Sequence, residues 1–245
     1  MPETRRARHG RKRKREEHAR TAQAPPLADA ADRARALALT PVSRETLERL
    51  DRFVALLLAW QRTTNLIAPS TVAHLWTRHI ADSLQLLELA PDARTWIDLG
   101  SGGGFPGLVI ACALAGTPGA HVHLIESHGK KAAFLREAQR LTAAPASIHA
   151  MRIEEFVTTF EGPLDVITAR AVAPLKSLFA QGFPLLGKSG AMGLFPKGQN
   201  AELELGEARA AMTSWKMNAT LVPSRTDASG RIVVIRDVER GKTKP

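Results

Sequence analysis

The chain has no tyrosine among its 245 residues, and aromatic side chains make up only 5% of it. That scarcity argues against recognition of single-stranded nucleic acid by a platform of stacked rings. Cysteine occurs once, at Cys112, so an intrachain disulfide framework is excluded and the sequence suits a reducing compartment, the cytoplasm. Placed on the apolar side of a helical stretch, this thiol reads as a small hydrophobe. No apolar run approaches the about 20 residues of a membrane-spanning helix. His121, His123 and His128 cluster without the soft partners of a zinc site, so no metal is expected. No internal repeat is visible, and nothing in the pattern suggests an extended self-association surface, so a monomer is expected.

Positive charge, by contrast, is plentiful and concentrated. The net charge is +10, and residues 1–20 hold nine cations against Glu3, Glu16 and Glu17, which places six of the ten excess charges there. Such a block buries no apolar surface and is expected to stay unstructured until it meets an anion, with RNA phosphates the natural partner. It lacks the apolar core of a secretion signal, and its two adjacent glutamates sit poorly with a transit peptide. A solubilising tail is the plainer alternative. The division expected is a basic arm over 1–40, a helical extension over 41–92 and a larger domain over 93–240.

Within the extension, Ser43 reads as a helix N-cap with Glu45 in the first turn. Leu47, Leu50, Phe53, Val54, Leu57 and Leu58 recur at helical spacing, and Trp60 closes the stretch. A second helix is expected over Val72–Leu89, stopped by Pro91. From Arg94 onward short apolar runs alternate with helical patterns, which predicts an α/β fold with a mostly parallel, doubly wound sheet. The expected strands are Thr95–Leu99, Val122–Ile125, Ser147–Met151, Leu164–Thr168, Ala191–Pro196, and a closing hairpin of Lys216–Val222 with Ile232–Arg236. Helices are expected around residues 130–137, 175–185 and 201–212.

The densest signal follows the first of these strands. Gly100, Gly102, Gly103, Gly104 and Gly107 place five glycines in eight residues, as expected where backbone takes positive φ or lies against a ligand. Two patterns overlap there. Gly102 to Gly107 satisfies the dinucleotide fingerprint, and Asp98 to Gly104 satisfies D-x-G-x-G-x-G, the pattern of a class I S-adenosylmethionine (AdoMet) methyltransferase. The second fits better. Asp98 stands where a strand-end carboxylate can meet a methionine ammonium, and Pro106 removes an N–H that a pyrophosphate would use. Glu126, ending the next strand, is suited to two ribose hydroxyls, although an NAD enzyme would want it too. Seven strands with the last pair close in sequence suit a Rossmann-like methyltransferase sheet.

The order of motifs resembles the RsmG (GidB) family, the guanine-N7 methyltransferases of bacterial 16S ribosomal RNA, over about residues 43–237. The resemblance rests on Asn65-Leu66, the run Arg78-His79-Ile80-Ala81-Asp82-Ser83-Leu84, and Ile97 to Gly107. It continues through Glu126-Ser127-His128-Gly129-Lys130-Lys131, Arg152-Ile153-Glu154-Glu155-Phe156, Thr168-Ala169-Arg170-Ala171 and Pro196-Lys197-Gly198. It implies that Gly100 and Phe105 touch AdoMet, that Ile153 and Glu154 flank its adenine, and that Arg170 closes the site. Asp98, Gly102, Gly104 and Glu126 complete the expected cofactor set. The same resemblance implies the target, a guanine at position 527 of 16S ribosomal RNA in the customary numbering, within the 30S subunit. Glu126 stands where many members have aspartate, and the arginine-rich arm is not a general family feature.

Guanine N7 offers a lone pair and no proton, so methylation there needs no general base, and no nucleophile–base pair is sought. Arg170 and Lys197 are expected to act catalytically by positioning, with Asn65, Arg78, His79 and Lys197 facing RNA. His79 and Asp82 share a helix face and have a second reading, as a pair that fixes their helix against the larger domain. Methylation of another RNA or substrate, and RNA binding without catalysis, are the competing functions.

Overall fold

The computed structural model describes residues 29–209, 212 and 217–238. The cation-rich segment 1–20 lies outside these, as do parts of the expected helix 201–212 and the first residue of the expected strand 216–222. Residues 30–39, which the sequence analysis left without structure, form helix α1 (Ala30–Leu39), N-capped by the Asp29 carboxylate accepting from Ala31 N–H. Helix α2 (Arg44–Gln61) starts as expected, with Ser43 Oγ accepting from Thr46 N–H at 3.2 Å. Its inner face buries Leu50, Phe53, Val54 and Leu57, while Leu47 and Leu58 are only partly covered.

The second expected helix is helical throughout but changes its winding twice. A 3₁₀ turn (Pro69–His74) leads into a π-helical turn (Trp76–Ala81) and then α3 (Asp82–Leu89). The cause lies far away in sequence. Asp32 of α1 is buried and accepts from Trp76 N–H (2.9 Å), Thr77 N–H (3.1 Å) and Thr77 Oγ–H, which pins the start of the π turn. Burial opposes the charge on Asp32, but the bonds from Thr77, Arg35 and Trp76 outweigh it and hold the carboxyl below its usual range.

A seven-stranded sheet follows, in the order β3-β2-β1-β4-β5-β7-β6. Its strands are β1 (Thr95–Leu99), β2 (His121–Ile125), β3 (Ala146–His149), β4 (Val166–Thr168), β5 (Met192–Lys197), β6 (Asn218–Pro223) and β7 (Arg231–Arg236). The first five run parallel, and β7 pairs antiparallel with both β5 and β6. Between them lie α4 (Gly107–Leu114), α5 (Gly129–Thr142), α6 (Ile153–Thr159), α7 (Leu175–Ser189) and α8 (Ala201–Glu207). Because β1 pairs with β2 on one side and β4 on the other, the chain reverses direction around β1 and opens a crevice at the strands' C-terminal ends.

One face of the sheet is covered by α4, α5 and the N-terminal helices, whose side chains enter a common apolar cluster with Trp96, Leu124 and Leu194. Phe53 lies 5.3 Å from the Phe105 ring and 6.2 Å from Phe134. Trp60 packs on Phe134 at 5.7 Å and donates its Nε1–H to Glu137 at 3.1 Å, bridging α2 to α5. Each such wholly buried large side chain contributes about 1.5–3 kcal/mol, so the helices before residue 92 are held by the same core as the sheet. Cys112 sits inside this cluster, where burial pushes its thiol up to about 12 and leaves it inert.

Candidate active site

A cavity of about 970 Å3 occupies the crevice, lined from the ends of β1, β2, β4 and β5, the N-terminal segments and the β6–β7 loop. Its floor is the glycine turn. Gly100, Gly102 and Gly104 hold φ of 70°, 54° and 90°, backbone that residues with a Cβ rarely adopt. A Cβ on Gly100 would come within 2.5 Å of Val172 Cγ2, so the segment after β4 lies directly over the turn.

Asp98 takes a different position from the one expected. It is wholly buried beneath the turn, does not line the cavity, and accepts from Gly107 N–H at 3.0 Å, which ties β1 to the first residue of α4. Its other oxygen has no partner, and burial pushes the carboxyl up to about 6. Gly104 also lies off the cavity wall, against Phe53 and Leu108.

Glu126 does line the cavity, its carboxylate set by two backbone donors, Gly102 N–H at 2.9 Å and His128 N–H at 2.7 Å. A carboxylate has about four acceptor sites, so further ones remain. Ile153 and Glu154 stand at the start of α6 on the same wall, and Glu154 Oε1 accepts from Gln181 Nε2 at 2.7 Å. Gln181 Oε1 is buried at this wall without a partner. Sequence reasoning missed Gln181, whose helical setting carries no motif.

The opposite wall is built around Arg170, which follows β4. Its Nη1 reaches Arg78 O at 2.9 Å and Asp82 Oδ2 at 3.2 Å, and its Nη2 donates to His79 Nδ1. Its Cζ lies 5.2 Å above the Phe105 ring, which in turn packs on His79 at 4.9 Å. An arginine only donates, so His79 Nδ1 is the acceptor, and Nε2–H goes to Thr71 Oγ1 at 2.8 Å. Burial, with Arg170 and Arg78 nearby, pushes the imidazole down to about 3, so it is neutral. His79 and Asp82 therefore meet through Arg170 rather than through each other, and the π turn makes this possible by presenting the Arg78 carbonyl.

Lys197 lies at the end of β5, buried, with Nζ 2.8 Å from Ala173 O and 2.9 Å from Glu204 Oε2. That glutamate also accepts from Leu175 N–H, so the lysine braces the 170–174 segment. Arg78 sends its side chain to Asp227 of the β6–β7 loop at the cavity mouth. Asn65 is not gathered in; it is exposed on the turn after α2, and its carboxamide faces Gln61. Among the described residues no group of three His, Cys, Asp or Glu is placed to hold a metal ion, and no helix is long and apolar enough to cross a membrane.

A sequence model of the GidB family, described as rRNA small subunit methyltransferase G, matches residues 46–233. The chain is 60% identical over 211 residues to the ribosomal RNA small subunit methyltransferase G of Bradyrhizobium sp. strain BTAi1, spanning 86% of this chain and 93% of the other. It is 56% identical over 215 residues to the protein of that name from Rhodopseudomonas palustris strain BisB18, spanning 88% and 90%. Among solved structures, an O-methyltransferase from Bacillus cereus in complex with SAH superposes with a TM-score of 0.55 at 14% identity, over 86% of this chain and 98% of that one. The last likeness is one of fold.

Proposed function

This chain belongs to the GidB family of small-subunit ribosomal RNA methyltransferases, and we propose that it transfers a methyl group from AdoMet to N7 of a guanine in 16S ribosomal RNA. The target implied by the motifs is the guanine at position 527, presented within the 30S subunit in the cytoplasm. The observation that carries the reading is the switch-point cavity, floored by the positive-φ Gly100 and Gly102 and walled by Glu126 with its carboxylate already oriented. The unpartnered Gln181 oxygen on the wall fits an amine donor there.

When bound, AdoMet supplies an electrophilic methyl group on a sulfonium. Glu126 would hold the two ribose hydroxyls with its remaining acceptor sites. Ile153 and Glu154 would flank the adenine, and Gln181 Oε1 would be available to accept from its amino group. Gly100 and Gly102 let backbone lie against the methionine end, and Asp98 contributes negative charge from beneath the turn rather than by contact. Phe105 and Arg170 close the site on the side where RNA enters, with Arg78 and His79 on that rim.

Because N7 carries no proton, no residue has to remove one. His79, neutral and with both ring nitrogens committed, is not a base, and Arg170 and Lys197 act as positioning residues. Rate enhancement then comes from alignment and exclusion of water, and the target base leaves its stack to reach the cavity. The test is transfer of labelled methyl from AdoMet to 30S subunits and to 16S RNA from a strain lacking the gene, with the modified base mapped. Label recovered as 7-methylguanosine at position 527 supports the reading; AdoMet binding with label elsewhere or nowhere overturns it.

A further inference from the structure

A second concavity, of about 440 Å3, adjoins the cavity across a rim formed by Arg78 and Thr226, which line both. Around it stand Arg35 from α1, His74 and Arg78 from the turns before α3, and Arg225 from the β6–β7 loop. We propose that this basin binds phosphates of the RNA backbone beside the nucleotide that enters the cavity. The proposal rests on the reading that the cavity receives an RNA base, and it gives a role to Arg35, His74 and Arg225, none of which that reading uses.

The donor inventory supports this. A guanidinium carries five N–H groups. Arg35 commits Nη2 to Asp32 and, at 3.4 Å, Nε to Thr77 Oγ1; Arg78 commits Nη1 to Asp227; Arg225 commits Nη1 to Glu88. The three side chains are 60%, 49% and 46% exposed, so their other N–H groups face water and can exchange it for phosphate oxygens at small desolvation cost. His74, also exposed, adds ring nitrogens on the same side.

Each arginine has a carboxylate neighbour, and these do not cancel the site. Asp32 is buried and already accepts from Trp76, Thr77 and Arg35, so it aims Arg35 without facing the basin's solvent. Glu88 is 54% exposed, and such a solvent-screened surface pair is weaker than a bidentate phosphate contact. Arg35, Arg78 and Arg225 come together, from segments as distant as residues 35 and 225, on one hollow sharing a wall with the active cavity.

The experiment is equilibrium binding of labelled, unmodified 16S RNA across a salt series, with AdoMet affinity measured by calorimetry on each protein. Combined Arg35→Ala and Arg225→Ala should weaken RNA binding about tenfold and flatten the log–log salt dependence by about one to two, while AdoMet affinity stays the same. Arg225→Lys should restore most of the salt slope. Glu88→Gln should tighten RNA binding, an effect opposite in sign to damage from misfolding. Arg140→Ala, at an exposed cation on α5 away from the basin, should change neither quantity. An unaltered salt slope in the double variant, or an equal loss from Arg140→Ala, would overturn the proposal. RNA binding with these sensitivities but no methyl transfer would keep the basin and reject the enzymatic reading; transfer with no such sensitivity would do the reverse.

Discussion

Arg170 donates a guanidinium N–H to the unprotonated ring nitrogen of His79, joining the end of β4 to a π-helical turn 91 residues earlier in the chain. The bond links the N-terminal helices to the glycine turn, because the same guanidinium covers Phe105 and reaches Asp82.

Arg170→Ala leaves Asp82 and the Arg78 carbonyl without this donor in a mostly buried setting. A loss of about 2–4 kcal/mol in unfolding free energy is expected, measured by urea denaturation. Arg170→Ala with Asp82→Ala should cost clearly less than the sum of the single changes. Strict additivity would show that the two side chains are not coupled.

Stability should fall on acidification. Burial pushes His79 down to about 3, with Arg170 and Arg78 facing it, and His123 down to about 4, with His121 and His149 facing it. Both rings titrate near 6.5 when unfolded, so their contribution is complete above that pH and is lost as pH drops toward the folded values. Asp98, pushed up to about 6, takes its proton in the folded state first and offsets one of the two between about pH 6 and its ordinary value. His149, also held down by burial and by His121, adds to the loss, so the net expectation is a decline of about 1–2 kcal/mol per pH unit between about pH 6 and 4. His123→Leu should make that slope shallower, and an unfolding midpoint constant from pH 7 to 4.5 would contradict it.

Gly107 has no room for a methyl group. A Cβ there would stand 2.4 Å from Leu124 Cδ2 and 2.6 Å from Asp98 Cβ, whereas one at Gly116 meets nothing within 4 Å. Gly107→Ala should therefore destabilise by about 2–3 kcal/mol, while Gly116→Ala is neutral or slightly stabilising. Thermal melts of the two proteins decide it, and equal melting temperatures would refute the clash.

Gln181→Leu should weaken AdoMet binding about five- to tenfold by calorimetry, through loss of a buried acceptor and of the donor to Glu154. Unchanged affinity would remove Gln181 from the adenine wall.

Lys197→Met should lower methyl transfer by loosening the 170–174 segment, with the pH profile of the rate unaltered. A shifted profile would instead give the lysine a titrating role.

Legibility in the sequence followed the range of the interaction. Strand β1 was read to the residue, because a continuous apolar run ended by glycines is a local signal. The Ser43 cap and the inner face of α2 were equally local. The π turn was not legible, and the carboxylate that holds its start, Asp32, lies 44 residues before Trp76. Asp98 was expected to meet a methionine ammonium, whereas its carboxylate accepts from Gly107 N–H, because spacing does not say whether a strand-end carboxylate turns to a ligand or to the next helix. Lys197 was chosen from the Pro196-Lys197-Gly198 motif at a strand end, and the Glu204 and Ala173 groups that occupy it come from elements that only the fold brings near.

Trp60, half-buried between α2 and α5 and bonded to Glu137, has an optical consequence. With no tyrosine in the chain, intrinsic emission comes from its four tryptophans alone, and Trp76 and Trp96 are sealed in the core. Movement of the N-terminal helices off α5 would expose the indole of Trp60, so the protein carries its own colour signal for the coupling between those helices and the sheet.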